Sequence, residues 1–69
     1  MYRNAKAEMV RAGLNLDKVA PGMGISGSAL SMKLNGKSPI TVNEAKLFKK
    51  IVRSDMPLEE LFKSFEEVN

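Results

Sequence analysis

"PGMGISGSALSMKLNG", residues 21–36, admits two readings that exclude each other. Gly22, Gly24 and Gly27 spell G-x-G-x-x-G, the pattern of a dinucleotide-binding turn. The same residues also describe a helix end, a tight corner and a second short helix carrying two leucines. A phosphate-cradling turn must follow a strand, open a helix and lie in a βαβ unit, with an acidic residue about 20 positions on. Here the glycines follow a helical stretch, and a chain of 69 residues has no room for a parallel sheet. The helical reading prevails.

Each position of the corner then has a physical reason. Two closely abutting helices need a small residue where they touch, and Ala20 supplies it. Gly24 can take the positive φ that reverses the chain. Ile25 plugs the corner, Leu30 anchors the following helix, and Leu34, one turn later, shares its inward face. Ser26 caps that helix, "GSALSMKL", which ends at Asn35–Gly36. Its opposite face carries Ser28, Ser31, Met32 and Asn35, with Gly27 at the entrance. A short helix with small residues outward can sink into a major groove about 12 Å wide. A helical hairpin that only packs would show the same spacing.

Outward from this stretch, helical spacing recurs and no segment alternates long enough for a strand. "YRNAKAEMVRA" predicts a first helix with Ala5, Met9 and Ala12 on one face, stopped by Gly13, after which Leu14 tucks inward. Asn15 is the N-cap of a second helix beginning "LDKVA". Pro21 would cost about 3 kcal/mol inside a regular helix, so this helix is expected to end early, kink or tighten after Ala20. "GKSPI" is a loop, and Thr41-Val-Asn-Glu44 is a capping box opening a fourth helix over 42–53. There Ala45, Phe48, Ile51 and Val52 face inward, while Lys46, Lys49, Lys50 and Arg53 stay wet. Asp55 or Met56 is expected to cap a last helix with Pro57 in its first turn and Leu58, Leu61, Phe62 and Phe65 on its apolar face. The expectation is a single all-α domain of five helices over residues 1–69.

Composition narrows the function classes. A domain this short buries only about 60% of the surface of its unfolded chain. With no cysteine there is no disulfide or thiolate–metal site, and with no histidine the usual general base and commonest metal ligand are missing. No serine has an evident base to activate it, so an enzyme, a cofactor and a small-molecule substrate are not expected. No apolar run approaches the roughly 18 residues of a membrane span, and the chain reads as cytoplasmic. Net charge is +3, unevenly spread. Residues 31–53 carry Lys33, Lys37, Lys46, Lys49, Lys50 and Arg53 against Glu44; residues 54–69 carry Lys63 against Asp55, Glu59, Glu60, Glu66 and Glu67. A basic middle beside an acidic tail suggests a polyanion-facing side, although ordinary helix surface reads the same way.

"AEMVRAGLN", "VA" with Gly24-Ile25-Ser26, "LS" at 30–31, "KLNGKSP" at 33–39, "TVNEA" at 41–45 and "PLEELF" at 57–62 recur in one family. Through them the chain resembles the Cro and phage-repressor type of helix-turn-helix regulator, with its lambda-repressor-like five-helix fold. It looks most like small phage-borne regulators of Gram-positive bacteria. The resemblance spans nearly the whole chain. It implies binding of double-stranded DNA, often as a homodimer, with the helix over 26–35 in the major groove. By position, Gly27, Ser28 and Met32 stand where base edges are read. Asn15, Ser26, Ser31, Lys33, Asn35, Lys37 and Ser38 stand where phosphates are met. Met56, Pro57 and Phe65 form the candidate dimer or partner surface.

Three departures from the family pattern bear on function. The base-reading positions are poor in donors: Gly27 has no side chain, Met32 makes only apolar contacts, and Ser28 can bond to more than one base. Pro21-Gly22 replaces good helix formers. Met9 and Leu34 stand where many relatives pair an arginine with a glutamate, and an apolar pair there avoids the desolvation cost of buried charges. The donor-poor face and acidic tail also admit a different function, that of an antirepressor binding a repressor protein rather than DNA.

Overall fold

Left-handed backbone punctuates the chain at four points: Gly13 (φ 75°), Gly24 (φ 73°), Gly36 (φ 79°) and Arg53 (φ 55°). Each ends a helix in the same manner. At Gly24 the amide of Ile25 donates to the carbonyl of Ala20 (3.1 Å) and that of Gly24 to Pro21 (3.1 Å). This crossed pair of bonds satisfies carbonyls that a helix end leaves orphaned. Equivalent pairs run from Leu14 to Met9 and Gly13 to Val10, from Lys37 to Met32 and Gly36 to Lys33, and from Ser54 to Lys49 and Arg53 to Lys50.

The computed structural model describes residues 1–63. They form α1 (Arg3–Arg11), α2 (Leu16–Met23), α3 (Gly27–Leu34), α4 (Val42–Val52) and α5 (Leu58–Leu61), with no strand among the described residues. None of these helices is long and apolar enough to cross a membrane. Three helix starts are capped by side chains. Asn15 accepts from the amide of Lys18 (3.0 Å), Ser26 from Ala29 (3.1 Å), and Thr41 from Glu44 (3.1 Å), with the Glu44 carboxylate returning a bond to the Thr41 amide (3.0 Å). The predicted capping box is therefore complete.

Two local expectations are corrected. Of the three outcomes expected after Ala20, the early end is the one overturned: α2 continues through Pro21 to Met23. The missing N–H removes only the bond to Asp17, and Pro21 and Asp17 are both exposed, so water can reach the freed carbonyl. Gly22 serves another purpose: a Cβ there would lie 2.9 Å from Cδ1 of Ile51, so the glycine lets α2 approach α4. At the other end Pro57, not Asp55 or Met56, is the N-cap residue of α5, and no side chain caps it. Ser54 does related work upstream, accepting from the amide of Met56 (3.1 Å).

α2 packs against both α3 and α4, and α1 lies across α3, α4 and α5. Between them Ala5, Met9, Val19, Ala20, Leu30, Leu34, Phe48, Val52 and Leu61 form one core. Burying each of the larger aliphatic or aromatic side chains contributes about 1.5–3 kcal/mol. Met9 and Leu34, the apolar pair at the departure from the family pattern, are both buried. Phe62 stands edge-on to Tyr2 and Phe48, with ring centroids 5.3 and 5.6 Å away. The amide of Tyr2 donates to the carbonyl of Leu34 (2.9 Å), tying the N-terminus to the end of α3. The radius of gyration, 11.0 Å, is that of a compact body of this length.

A polar clasp closes α1 onto the end of α4. Buried Ser54 donates to Oε1 of Glu8 (2.8 Å), which also accepts from Nε of Arg11 (3.0 Å). The Arg11 guanidinium reaches on to the carbonyls of Val52 and Arg53. The Ser54 hydroxyl above all, helped by Arg11 and opposed by partial burial, holds the Glu8 carboxyl below its ordinary value of 4.5.

Two predictions follow from these ends and this clasp. Arg53→Gly relieves a side chain in left-handed backbone and should raise stability by about 0.5–1 kcal/mol in thermal melts. Gly24→Ala should lower it by about 1 kcal/mol although no atom lies within 4 Å of the new Cβ. The reverse order of melting temperatures would remove backbone strain as the explanation. Because Glu8 titrates lower folded than unfolded, its contribution is full above pH 4.5 and is lost as pH falls through the lowered pKa. Ser54→Ala should raise the Glu8 pKa in an NMR titration and shrink this acid-dependent loss; an unmoved Glu8 titration would show that Ser54 is not its cause.

Candidate functional site

α3 is divided lengthwise. Leu30 and Leu34 have no exposed surface, whereas Ser28 is exposed and Met32 is 47% exposed. The division follows from spacing: residues four apart share one side of the helix, and the core takes the leucine side. Ser26, Gly27, Ser28, Ser31 and Met32 line an open concavity of about 730 Å³, whose other wall is Leu16 and Asp17 of α2. The three residues expected to read bases are thus brought together with two of those expected to meet phosphates.

The remaining candidates divide into side chains left free to bond outward and side chains already held. Asn15 uses Oδ1 to cap α2, which leaves its amide hydrogens available. Ser26 accepts the amide of Ala29 and retains its own proton to donate. Lys37 is exposed and makes no ion pair among the described residues, and half-buried Ser38 follows it. The amides of both donate to the carbonyl of Met32, at 2.9 and 3.3 Å, which sets them just beyond the end of α3.

Lys33 and Asn35 have internal partners. Nζ of Lys33 donates to the carbonyl of Pro39 (3.0 Å) and pairs with Glu44 (3.2 Å), bracing the loop between α3 and α4. The Thr41 amide first, then Lys33, hold the Glu44 carboxyl below its ordinary value. Asn35 accepts from Nζ of Lys6 (2.6 Å) and donates to Oγ of Ser31 (3.4 Å), so α1 steadies the last turn of α3. Lys6 escaped the sequence reading because its partner lies in a different helix.

The basic middle of the chain is not one patch. α4 packs on α1, α2 and α5 rather than on α3, so exposed Lys46 and Lys50 stand on a separate element from the concavity. Lys49, expected to stay wet, is half-buried with Nζ on the carbonyl of Ser54 (3.0 Å). Of the candidate partner surface, Pro57 is exposed, Met56 is half-buried and packs on the core, and Phe65 lies outside the described residues.

Asp17 is the functional candidate that spacing did not single out. As a first-turn acid of α2 it complements the helix dipole, which is reason enough for its presence in a linear reading. Folding sets it against the start of α3: a Cβ on Gly27 would stand 3.1 Å from its Oδ1. No family model, curated protein or solved structure matches this chain.

The two lysines flanking the end of α3 should behave differently. Lys33→Ala should raise the Glu44 pKa and lower the melting temperature, because it removes both the ion pair and the brace on Pro39. Lys37→Ala should leave both unchanged, since surface substitutions of this kind stay within about 0.5 kcal/mol. Equal effects of the two variants on Glu44, read by NMR titration, would refute the assignment.

Proposed function

We propose that this chain is a small sequence-specific DNA-binding transcriptional regulator of the Cro and phage-repressor type. In this reading the fold is lambda-repressor-like and α2 and α3 are its helix-turn-helix. The observation that carries it is the lengthwise division of α3, with Leu30 and Leu34 sealed in the core and Ser28 and Met32 presented on an open concavity. A helix so presented can enter a major groove while α2 crosses the backbone. Gly27, Ser28 and Met32 meet base edges. Asn15, Ser26, Lys37 and Ser38 meet phosphates, and Ser31, Lys33 and Asn35 hold the helix and its following loop in place. The working unit is a homodimer on half-sites about one helical turn apart, joined through the surface of Met56 and Pro57.

One observation favours a second reading. No basic side chain lines the concavity and one acid does, a lining that also suits docking on a basic repressor protein.

Binding to duplex DNA across a salt series separates the two. The regulator should bind and weaken as salt rises, and Lys37→Ala should flatten the slope of log K against log salt by about one unit. A protein that ignores genomic and random-sequence duplex at low salt, yet captures a repressor, overturns the DNA reading in favour of the second.

A further inference from the structure

The reading position that has no side chain is not chemically empty. Gly27 is the first residue of α3, and among the described residues left-handed backbone occurs at Gly13, Gly24, Gly36 and Arg53, so nothing in its conformation demands glycine. What the missing Cβ permits is the approach of Asp17, whose Oδ1 would stand 3.1 Å from it. A side chain at position 27 would therefore press on the carboxylate of α2.

We infer that Asp17 is the base-reading group at this position and that it makes the site select cytosine. The inference rests on the DNA-binding reading above and names the base which that site prefers. An ionised carboxylate only accepts hydrogen bonds. In the major groove guanine offers two acceptors and thymine one, whereas cytosine offers a donor amine alone; adenine sets its donor beside an acceptor that repels the second oxygen. Cytosine is the match.

The surroundings leave the task to Asp17. It is the one charged side chain lining the concavity, and no basic side chain pairs with it among the described residues. Ser28 and Met32 discriminate weakly, the first because a hydroxyl both donates and accepts, the second because it offers only apolar contact.

Selection of bound duplexes from a random pool by the full-length protein, Asp17→Asn and Asp17→Ala tests this. The wild-type pool should show cytosine at one position of each half-site. Asp17→Asn should move that position toward adenine, whose edge matches an amide, and Asp17→Ala should level it, with the other positions unchanged in both. Replacing the selected cytosine by thymine should weaken the wild-type protein about tenfold and Asp17→Ala hardly at all. Asp17 is exposed, so both variants should melt close to wild type. Variants that keep the cytosine preference, or a wild-type protein that binds duplex without it, overturn the inference and leave DNA binding standing. A wild-type protein that binds no duplex removes both.

Discussion

With Leu30 and Leu34 sealed beside Val19, Ala20 and Phe48, α3 has a single rotational setting. A turn of one residue, about 100°, would bring leucine to water and drive Ser31 or Lys33 into a core that has no polar partner for it. The corner at Gly24 makes this seating reachable. It ends α2 with crossed bonds from Ile25 and Gly24 and lets α3 start at once, capped by Ser26. The exposed concavity is the other side of the same constraint, since whatever the leucines exclude from the core must face outward.

Part of the charge in this molecule holds elements together. Lys33 braces the loop through Pro39 and Glu44, Lys6 steadies Asn35, Lys49 closes the end of α4, and Arg11 spans from Glu8 to two carbonyls of the α4 terminus. A count of basic residues over 31–53 overstates the cations that a polyanion would meet. Just beyond α3, Lys37 is exposed and makes no ion pair among the described residues, while the concavity itself is apolar, hydroxylic and, through Asp17, acidic.

The Pro21-Gly22 pair illustrates how tertiary packing overrides local preference. Proline inside a helix sacrifices a bond, but at an exposed position near the C-terminus of an eight-residue helix the loss is a single carbonyl open to solvent. Glycine beside it loses backbone entropy but lets α2 close on Ile51. Helix breakers persist here because the helix is held by Val19 and Ala20 in the core, not by its own propensity.

What the sequence by itself determined is what lies within about one helical turn of each residue. The caps at Asn15, Ser26 and Thr41, the corner at Gly24, the stops at Gly13 and Gly36 and the leucine seam of α3 all join residues three to six positions apart. Their chemistry is therefore legible in a linear pattern. Tertiary structure alone decided the pairing of Lys6 with Asn35 and of Lys33 with Glu44, the clasp between Glu8 and Ser54, 46 positions apart, and the start of α5 at a proline without a side-chain cap. It also decided that Asp17 stands beside Gly27, its Oδ1 3.1 Å from where a Cβ would lie. A cation or carboxylate bonds to whatever the fold carries within about 3 Å, and a flexible charged side chain gives no periodic signal of which acceptor that will be.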